Sequence, residues 1–327
     1  MEKQNDRQDI SKCTHCHLCR KNCSFLAKYG LDIGDTERLS ELSYHCFLCG
    51  TCSGVCPAGI DGRAVVLNMR RERTEKNNGK CGEKGFMPVL AEKQNYLFRN
   101  RRHSAGTSVL FPGCNFPSFY PETTKALMRL LKHKADMGVL FDCCGKPVAE
   151  LGLKEQEAQI IKRLNKSFHE AGAKEAVMLC PNCYYFLKDR LDVKVVSIYE
   201  KLSELKIGQK AVKKAALFLP CPDREEQRWV SFFAPFLQEL QEVAEGVQCC
   251  GLGGCAGIKE PEFSKDMAAR ISEQGHEYIY TYCASCAGNL TRNGCRGVTH
   301  LLPEILGIEE KPDVSKSMIN RMKSKFW

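Results

Sequence analysis

Short apolar runs alternate with stretches of helical periodicity over most of the chain after residue 107. The runs VLF, GVLF and AVML have the length and the β-branched or aromatic character of buried strands. Between them, residues 121–133 and 153–172 carry apolar side chains at helical spacing, so that Ile160, Leu164 and Phe168 share one face. Because strands that alternate with helices form parallel sheets covered by helices, the pattern predicts an α/β fold.

The pattern occurs twice. In residues 107–210 the segments VLFPGC, FDCC and VMLCPNC follow one another, and in residues 211–310 ALFLPC, VQCC and YTYCASC follow in the same order at similar separations. This self-similarity predicts two repeated α/β domains. Every repeated cysteine follows a predicted strand, and this is the edge at which open α/β sheets bind ligands.

A different module is predicted for residues 1–75. Two identical runs of the form C-x2-C-x2-C-x3-C are typical of a ferredoxin with two [4Fe-4S] cubane clusters, in which the fourth cysteine of each run crosses to the other cluster. The stretches SFLAKYG, TERLSEL and RAVVLNMRRERTEK favour helices around the clusters. On this pattern, one cubane is bound by Cys13, Cys16, Cys19 and Cys56, and the other by Cys46, Cys49, Cys52 and Cys23.

The cysteine count directs the interpretation towards metal chemistry. The chain has 21 cysteines in 327 residues, and its start, MEKQNDRQDISKC, lacks the apolar core of a secretory signal. No apolar run reaches the roughly 18 to 20 residues of a membrane span. We therefore expect a cytoplasmic protein whose thiols bind metal instead of pairing as disulfides. Zinc is the alternative metal, although two identical runs of four cysteines fit zinc spacing poorly.

The formal net charge of +9 raises the question of a nucleic-acid partner. Thiolates that bind clusters would cancel part of this excess, and the basic stretches are not interleaved with stacking aromatic residues. We therefore expect no nucleic-acid partner. A zinc-rich nucleic-acid binder is the alternative from another functional class, and it would be colourless.

Two further segments differ in composition from the predicted domains. Residues 76–106 are polar and basic, which predicts a linker. Residues 311–327 predict a basic amphipathic tail, in which Met318, Ile319, Met322 and Phe326 share a helical face. Such a tail could contact a membrane surface or a membrane partner, and an ordinary frayed terminus is the alternative.

Together these motifs resemble a known family. The patterns C-x28-C-C-G-x34-C-x2-C and C-x27-C-C-G-x31-C-x2-C are similar to the cysteine-rich CCG domain, which occurs in pairs. Joined to an eight-cysteine ferredoxin module, the pair resembles the catalytic iron-sulfur subunit of heterodisulfide reductase, and also the iron-sulfur subunits of glycolate oxidase and anaerobic glycerol-3-phosphate dehydrogenase. Many relatives have a histidine before the first cysteine of the second copy, where this chain has Leu219-Pro220-Cys221.

The resemblance implies that each CCG motif binds a noncubane [4Fe-4S] cluster through five cysteines. By position, Cys144 and Cys250 are then the catalytic residues, and Gly145 and Gly251 let the backbone approach the cluster. Cys81, Cys255 and Cys295 are expected to be packing or free thiols. The implied ligands are Cys114, Cys143, Cys144, Cys180 and Cys183 for the first cluster, and Cys221, Cys249, Cys250, Cys283 and Cys286 for the second.

The resemblance implies two alternative functions. In the first, electrons pass through the two cubanes to the paired noncubane clusters, which reduce a disulfide or a similar two-electron substrate. In the second, the chain relays electrons between a flavin-dependent 2-hydroxy acid or glycerol-3-phosphate dehydrogenase and quinone. The chain has no dinucleotide-binding fingerprint, so flavin is expected only on a partner. The expected partners are a flavoprotein or other electron-donor subunit, and a membrane cytochrome or quinone-linked protein through which the chain would associate with a membrane.

Overall fold

Short helices surround the eight cysteines near the start of the chain. The computed structural model describes residues 8–211, 213–238, 243–244 and 246–327, so residues 1–7 of the predicted ferredoxin-like domain lie outside the described part. Helices form at all three stretches where the sequence predicts them, and they bury Phe25, Leu39 and Val66 in a small core. These helices are α1 (Leu18–Lys21), α2 (Ser24–Tyr29), α3 (Thr36–Glu41), α4 (Thr51–Gly54) and α5 (Gly62–Lys76), with 3-10 turns at Ile10–Lys12 and Ser43–His45.

Helix α5 links this region to the rest of the molecule. It begins after Asp61, whose carboxylate accepts a hydrogen bond from the backbone N–H of Ala64, as expected of an N-cap residue. Its buried side carries Val65, Val66 and, less expectedly, Arg70. A buried arginine requires partners, because an unpaired buried charge is costly.

Residues 76–106, which the sequence predicts to be a linker, are packed into the fold. They contain helix α6 (Met87–Lys93), and the rings of Phe86 and Tyr96 are buried on either side of it. Asn100 pairs with Phe141 through an antiparallel bridge. The segment is polar overall, so its composition gives no sign of these few apolar residues. Burial of each ring stabilises the fold by about 2 kcal/mol.

The first sheet has strand order β2-β1-β3-β4 and is parallel throughout. Its strands are β1 (Ser108–Phe111), β2 (Gly138–Val139), β3 (Glu175–Met178) and β4 (Lys194–Ser197). Around it lie α7 (Phe116–Phe119), α8 (Pro121–Ala135), α9 (Lys146–Glu150), α10 (Lys154–Glu170), α11 (Pro181–Leu187) and α12 (Ile198–Glu204). Helix α10 buries the predicted face, Ile160, Leu164 and Phe168, and Gly172, at φ +73°, follows its end.

The second sheet is also parallel, with order β5-β6-β7. Leu217 of β5 forms a further parallel bridge with Val243, on the side that β2 occupies in the first sheet. A mixed α/β fold with parallel sheets is therefore confirmed, whereas the duplication of a domain stays a prediction. The elements are β5 (Ala216–Phe218), β6 (Ile279–Thr281) and β7 (Val298–His300), with helices α13 (Arg228–Phe233), α14 (Pro261–Ser272), α15 (Ala284–Arg292) and α16 (Leu301–Ile305), and 3-10 turns at Cys221–Asp223, Ala234–Phe236 and Gly253–Ile258.

Aromatic side chains join the two sheet regions. Trp229, which is fully buried, packs edge-on against Tyr184 and Tyr199 of the first region and stacks on Tyr282 of the second. Beneath them, the buried carboxylate of Asp223 accepts hydrogen bonds from the hydroxyls of Tyr185 and Tyr282. The two sheet regions therefore share one continuous core.

The last residues form helix α17 (Ser317–Lys323) and a 3-10 turn at Ser324–Phe326. Met318, Ile319, Met322 and Phe326 are 52%, 51%, 50% and 68% exposed, on the outer side of this segment. Its inner side is anchored, because Asn100 donates to the backbone oxygens of Ser324 and Trp327. Within the described residues, no helix combines the length and apolar character needed to cross a bilayer.

Candidate metal centres

The fourth cysteine of each N-terminal run lies with the other run. Cys56 lines a small cavity together with Cys13, Cys16 and Cys19. We call these four the outer group, because Cys16 is exposed. Cys23 instead lies near Cys46, Cys49 and Cys52, whose charges act on one another; we call these four the inner group. This grouping is the one that the ferredoxin pattern predicts, while cluster binding by either group stays a prediction.

Acidic side chains flank the outer group. The Asp32 carboxylate lies 2.6 Å from Nδ1 of His17 and 3.5 Å from Nδ1 of the half-exposed His15. Asp35 lies 3.8 Å from the same His15 atom. The Cys19 thiol donates to Asp32 at 3.7 Å and accepts a hydrogen bond from the backbone N–H of Ile33 at 3.4 Å. The outer group therefore has a polar, partly solvated surround, in which two carboxylates lie beside two histidines and Arg20 acts on Asp32.

The first set of CCG cysteines lies at the carboxyl edge of the first sheet. Cys114 follows β1, Cys143 and Cys144 follow β2, and Cys180 precedes α11, on which Cys183 lies. Their thiols contact one another in series: Cys114 with Cys143, Cys143 with Cys144, Cys144 with Cys183, and Cys183 with Cys180.

The second set has the corresponding position in the second sheet. The thiol of Cys221 contacts Cys249, and Cys250 contacts Cys286, which in turn contacts Cys283. Asn289 donates to the backbone oxygen of Cys250 at 2.7 Å, which fixes the loop that carries the adjacent cysteines. The strand ends thus bring together all five predicted ligands of this set.

Two contacts connect the cysteine sets with each other and with the inner group. The Cys180 thiol of the first set lies close enough to Cys283 of the second for each to shift the pKa of the other. The Cys49 thiol of the inner group interacts with Cys249 of the second set, and this interaction lowers the pKa of Cys49. One series of neighbouring thiols therefore joins Cys49, Cys249 and Cys221, and a second extends from Cys250 through Cys283 and Cys180 to Cys114. The two series meet at the adjacent residues Cys249 and Cys250, and we call them together the sulfur row.

The spacing of the sulfurs fits clusters better than single zinc ions. A tetrahedral zinc site with bonds of about 2.3 Å holds its sulfurs about 3.8 Å apart. Among the described residues, no three cysteine sulfurs lie within 4.8 Å of one another. Clusters place several irons and sulfides between their thiolates and so use wider ligand sets. We conclude that the residues present fit iron-sulfur clusters.

Two glycines keep space open beside predicted cubane ligands. A Cβ atom on Gly34 would lie 2.7 Å from Sγ of Cys13, and one on Gly62 would lie 2.6 Å from Sγ of Cys52. Both distances are far below van der Waals contact. Each glycine therefore preserves room at a sulfur that the sequence predicts to bind iron.

Gly145 and Gly251, predicted to let the backbone approach a cluster, have an additional reason to be glycine. Their φ angles are +88° and +80°, and a Cβ would meet Ile160 at 2.8 Å in the first case and the Ser264 backbone at 2.7 Å in the second. The backbone N–H of Gly251 also donates to Sγ of Cys249 at 3.0 Å. Close packing thus accounts for both glycines without any cluster.

The burial of two inner thiols bears on the predicted binding of iron, because it shifts their pKa values. Burial raises the pKa of Cys46 to about 12 and that of Cys23 to about 11. Both thiols are therefore protonated at neutral pH unless a metal displaces the proton. Since the thiolate is the ligand, cluster uptake releases these protons and becomes more favourable as pH rises.

Buried cations near the cysteines escaped the sequence interpretation. Lys93 of α6 and Arg321 of α17 lie near Cys114, although both come from segments predicted to be a linker and a tail. Nη2 of Arg224 donates to Sγ of Cys221 at 3.6 Å. Of these three cations, only Arg224 could have been found from the sequence, because it lies three residues after Cys221. Lys93 and Arg321 come from distant parts of the chain.

A cavity of about 1060 Å³ opens at the junction of the inner group and the second cysteine set. It is lined by Cys23 and Cys49 on one side and by Cys221 and Arg224 on the other. The cavity is large enough for a small organic substrate beside the sulfur row. Of the remaining cysteines, Cys255 lies near Arg70, Cys81 near Tyr44, and Cys295 near Ser272.

Two stretches of the chain resemble a known protein family. Residues 108–188 and 236–291 match the model of the CCG cysteine-rich domain. The first match contains all five cysteines of the first set, whereas the second begins after Cys221. The chain therefore contains the CCG domain. Cys221 lies outside the second match, and only its interaction with Cys249 links it to the second cysteine set.

Several curated proteins are similar over much of the chain. One subunit of the "Dihydromethanophenazine:CoB--CoM heterodisulfide reductase" of Methanosarcina mazei is 22% identical over 85% of this chain and 81% of its own length. "Lactate utilization protein A 1" of Bacillus mycoides is 25% identical over 57% of this chain and 90% of its own. "EtfAB:quinone oxidoreductase" of Syntrophomonas wolfei is 23% identical over 56% of this chain and 25% of its own.

Proposed function

We propose that this chain, which carries the CCG cysteine-rich domain, is an iron-sulfur oxidoreductase subunit of the heterodisulfide reductase type. In this proposal the outer and inner groups hold cubane clusters, and the two CCG sets hold noncubane clusters. Electrons enter at the outer group from a flavoprotein or other donor subunit. They leave at the CCG sets, where they reduce a disulfide or a similar two-electron substrate.

The sulfur row is the observation that carries this proposal. Electron transfer between clusters requires that their ligands come close together, and the Cys49–Cys249 contact brings the inner group against the second CCG set. The Cys180–Cys283 contact then joins the two CCG sets. A protein that used its cysteines as separate structural metal sites would have no need of either contact.

The proposed reaction balances with a reductant on a partner. A disulfide R–S–S–R′ takes up two electrons and two protons, the S–S bond breaks, and the thiols RSH and R′SH form. When bound, the clusters supply storage for single electrons from the donor subunit until both are present. In this proposal the thiolates of Cys144 and Cys250 are ligands of the clusters that deliver the electrons, and the Arg224 guanidinium, which lines the cavity, attracts negative charge to it.

A second candidate is a relay without substrate chemistry on this chain. The similarity to a lactate utilization protein and to an EtfAB:quinone oxidoreductase supports it. In this case the chain passes electrons between a flavin-dependent 2-hydroxy acid or glycerol-3-phosphate dehydrogenase and quinone. Both candidates need the inner and outer groups, and they differ in what the CCG sets do.

Iron and acid-labile sulfide per chain, measured on anaerobically purified protein, test the proposal. About sixteen irons, four for each cluster, are expected if both CCG sets are loaded, and about eight would point to the relay. C144A and C250A should abolish disulfide reduction while the cubane signals stay reducible. C295A is the matched control, because Cys295 is buried but lies outside both sets. Normal turnover in C144A or C250A would contradict the catalytic role.

A further inference from the structure

Arg70 is a fully buried arginine at the centre of the molecule. Its guanidinium donates to the backbone oxygens of Ser43 at 2.8 Å, Cys46 at 2.6 Å, Glu150 at 2.7 Å and Gly254 at 2.8 Å. One side chain thus binds the inner group, helix α9 and the loop after the second CCG motif.

All of these acceptors are uncharged. Among the described residues, no carboxylate forms an ion pair with Arg70. The carboxylate of Glu150 acts on Arg70 only from a distance, since it is bound to Lys146 and accepts from the backbone N–H of Gly254 at 3.1 Å. Carbonyl dipoles compensate a buried cation only in part, because desolvation of the ion costs several kcal/mol. Within the described part of the chain, this buried positive charge therefore has no directly paired anion, and Glu150 acts on it only from a distance.

We propose that Arg70 is the counter-charge of the inner cluster and raises its reduction potential above that of the outer cluster. This inference rests on the proposed function, because it requires cubanes at both groups. A cluster with four thiolates is an anion, and it becomes more negative on reduction. A buried cation beside Cys46 stabilises the reduced form most, since charges interact strongly where water is excluded.

The outer group differs in that its nearby charges are partly solvated and include carboxylates, with Arg20 acting on one of them. Asp32 and Asp35 lie beside it, and among the described residues no buried arginine does. Its carboxylates disfavour reduction, although surrounding water weakens their effect. The resulting order of potentials drives electrons inward, from the exposed outer group to the inner group and on to the Cys249 side of the sulfur row.

Potentiometric titration monitored by electron paramagnetic resonance tests this order, with C16S used to identify the outer signal. We expect the inner cluster of the unmodified protein to be reduced at the higher potential. R70Q, which removes the charge, should lower the ratio of reduced to oxidised inner cluster at the original midpoint by about tenfold or more, equivalent to about 59 mV for one electron. In R70K, which keeps the charge, the reduction potential of the inner cluster should stay close to that of the unmodified protein.

Arg73 offers a matched control. It lies one turn along the same helix and over the same Tyr44 ring, at 5.2 Å against 5.0 Å for Arg70, but it pairs with Glu83. R73Q should leave the inner potential unchanged. If the unmodified protein shows no cubane signals, the proposed function itself fails.

With both signals present, three results would overturn the role of Arg70 alone. These are an inner potential at or below the outer one, an unchanged potential in R70Q, and an equal loss in R70K and R70Q. The first is measured on the unmodified protein, so it decides the matter even if R70Q does not fold.

Discussion

Asp223 is expected to stabilise the interface between the two sheet regions. Its carboxylate is fully buried and accepts from the hydroxyls of Tyr185 and Tyr282 and from the backbone N–H of Trp229. We expect D223A to lower the free energy of unfolding by about 3 kcal/mol, because two buried donors and the partly buried Tyr185 hydroxyl lose their acceptor. Urea unfolding measures this loss. The exposed Asp192 supplies the control, and a cost for D223A no larger than that of D192A would refute the assignment.

Among individual residues, the sequence predicted the positions of the cysteines but not the buried arginine and lysine side chains that lie near them. The spacing from Cys13 to Cys23 and from Cys46 to Cys56 predicts that the fourth cysteine of each run lies with the other run. This prediction is possible because the spacing is a local feature of the sequence. Arg70, Lys93 and Arg321 carry no such local signal. Their positions depend on contacts with residues distant along the chain, such as that of Arg70 with Gly254.

At the scale of elements, helix α17 is a structural part of the first CCG region. Arg321 pairs with Glu92 at 2.7 Å and donates to Asn115, next to Cys114. We expect R321A to destabilise the protein by about 3 kcal/mol, because it leaves Glu92 without one of its two cations. Thermal unfolding measures the effect, and M322A, on the exposed side of the same helix, should have little. Equal effects of the two substitutions would mean that α17 is not anchored through Arg321.

The elements themselves were predictable where their pattern was long. Helices α8 and α10 follow apolar positions at helical spacing, and β1 and β3 follow the apolar runs VLF and AVML. Strand β4 begins with the exposed Lys194, and two of the three residues of β7 are polar, so neither has a distinct apolar run. Helix α6 lies in a polar segment, where burial of Phe86 and Tyr96 decides the structure and composition does not.

At the scale of the whole molecule, the interfaces predict cooperative unfolding. Arg70 joins the N-terminal helices to both sheet regions, and one core extends through both sheets. We therefore expect the far-ultraviolet circular dichroism and the fluorescence of buried Trp229 to change in a single coincident transition. A separate early loss of helical signal would show that the N-terminal helices unfold on their own.

Arg70 also constrains how the protein is made. The ribosome completes helix α5 early, but Glu150 emerges much later and Gly254 later still, so two of the acceptors of the guanidinium are absent while the first helices form. The inner cysteines thus remain without their finished surround until most of the chain has been synthesised. If the inner group holds the proposed cluster, its loading would therefore follow translation, and a chain truncated before Gly254 would be a poor substrate for cluster assembly.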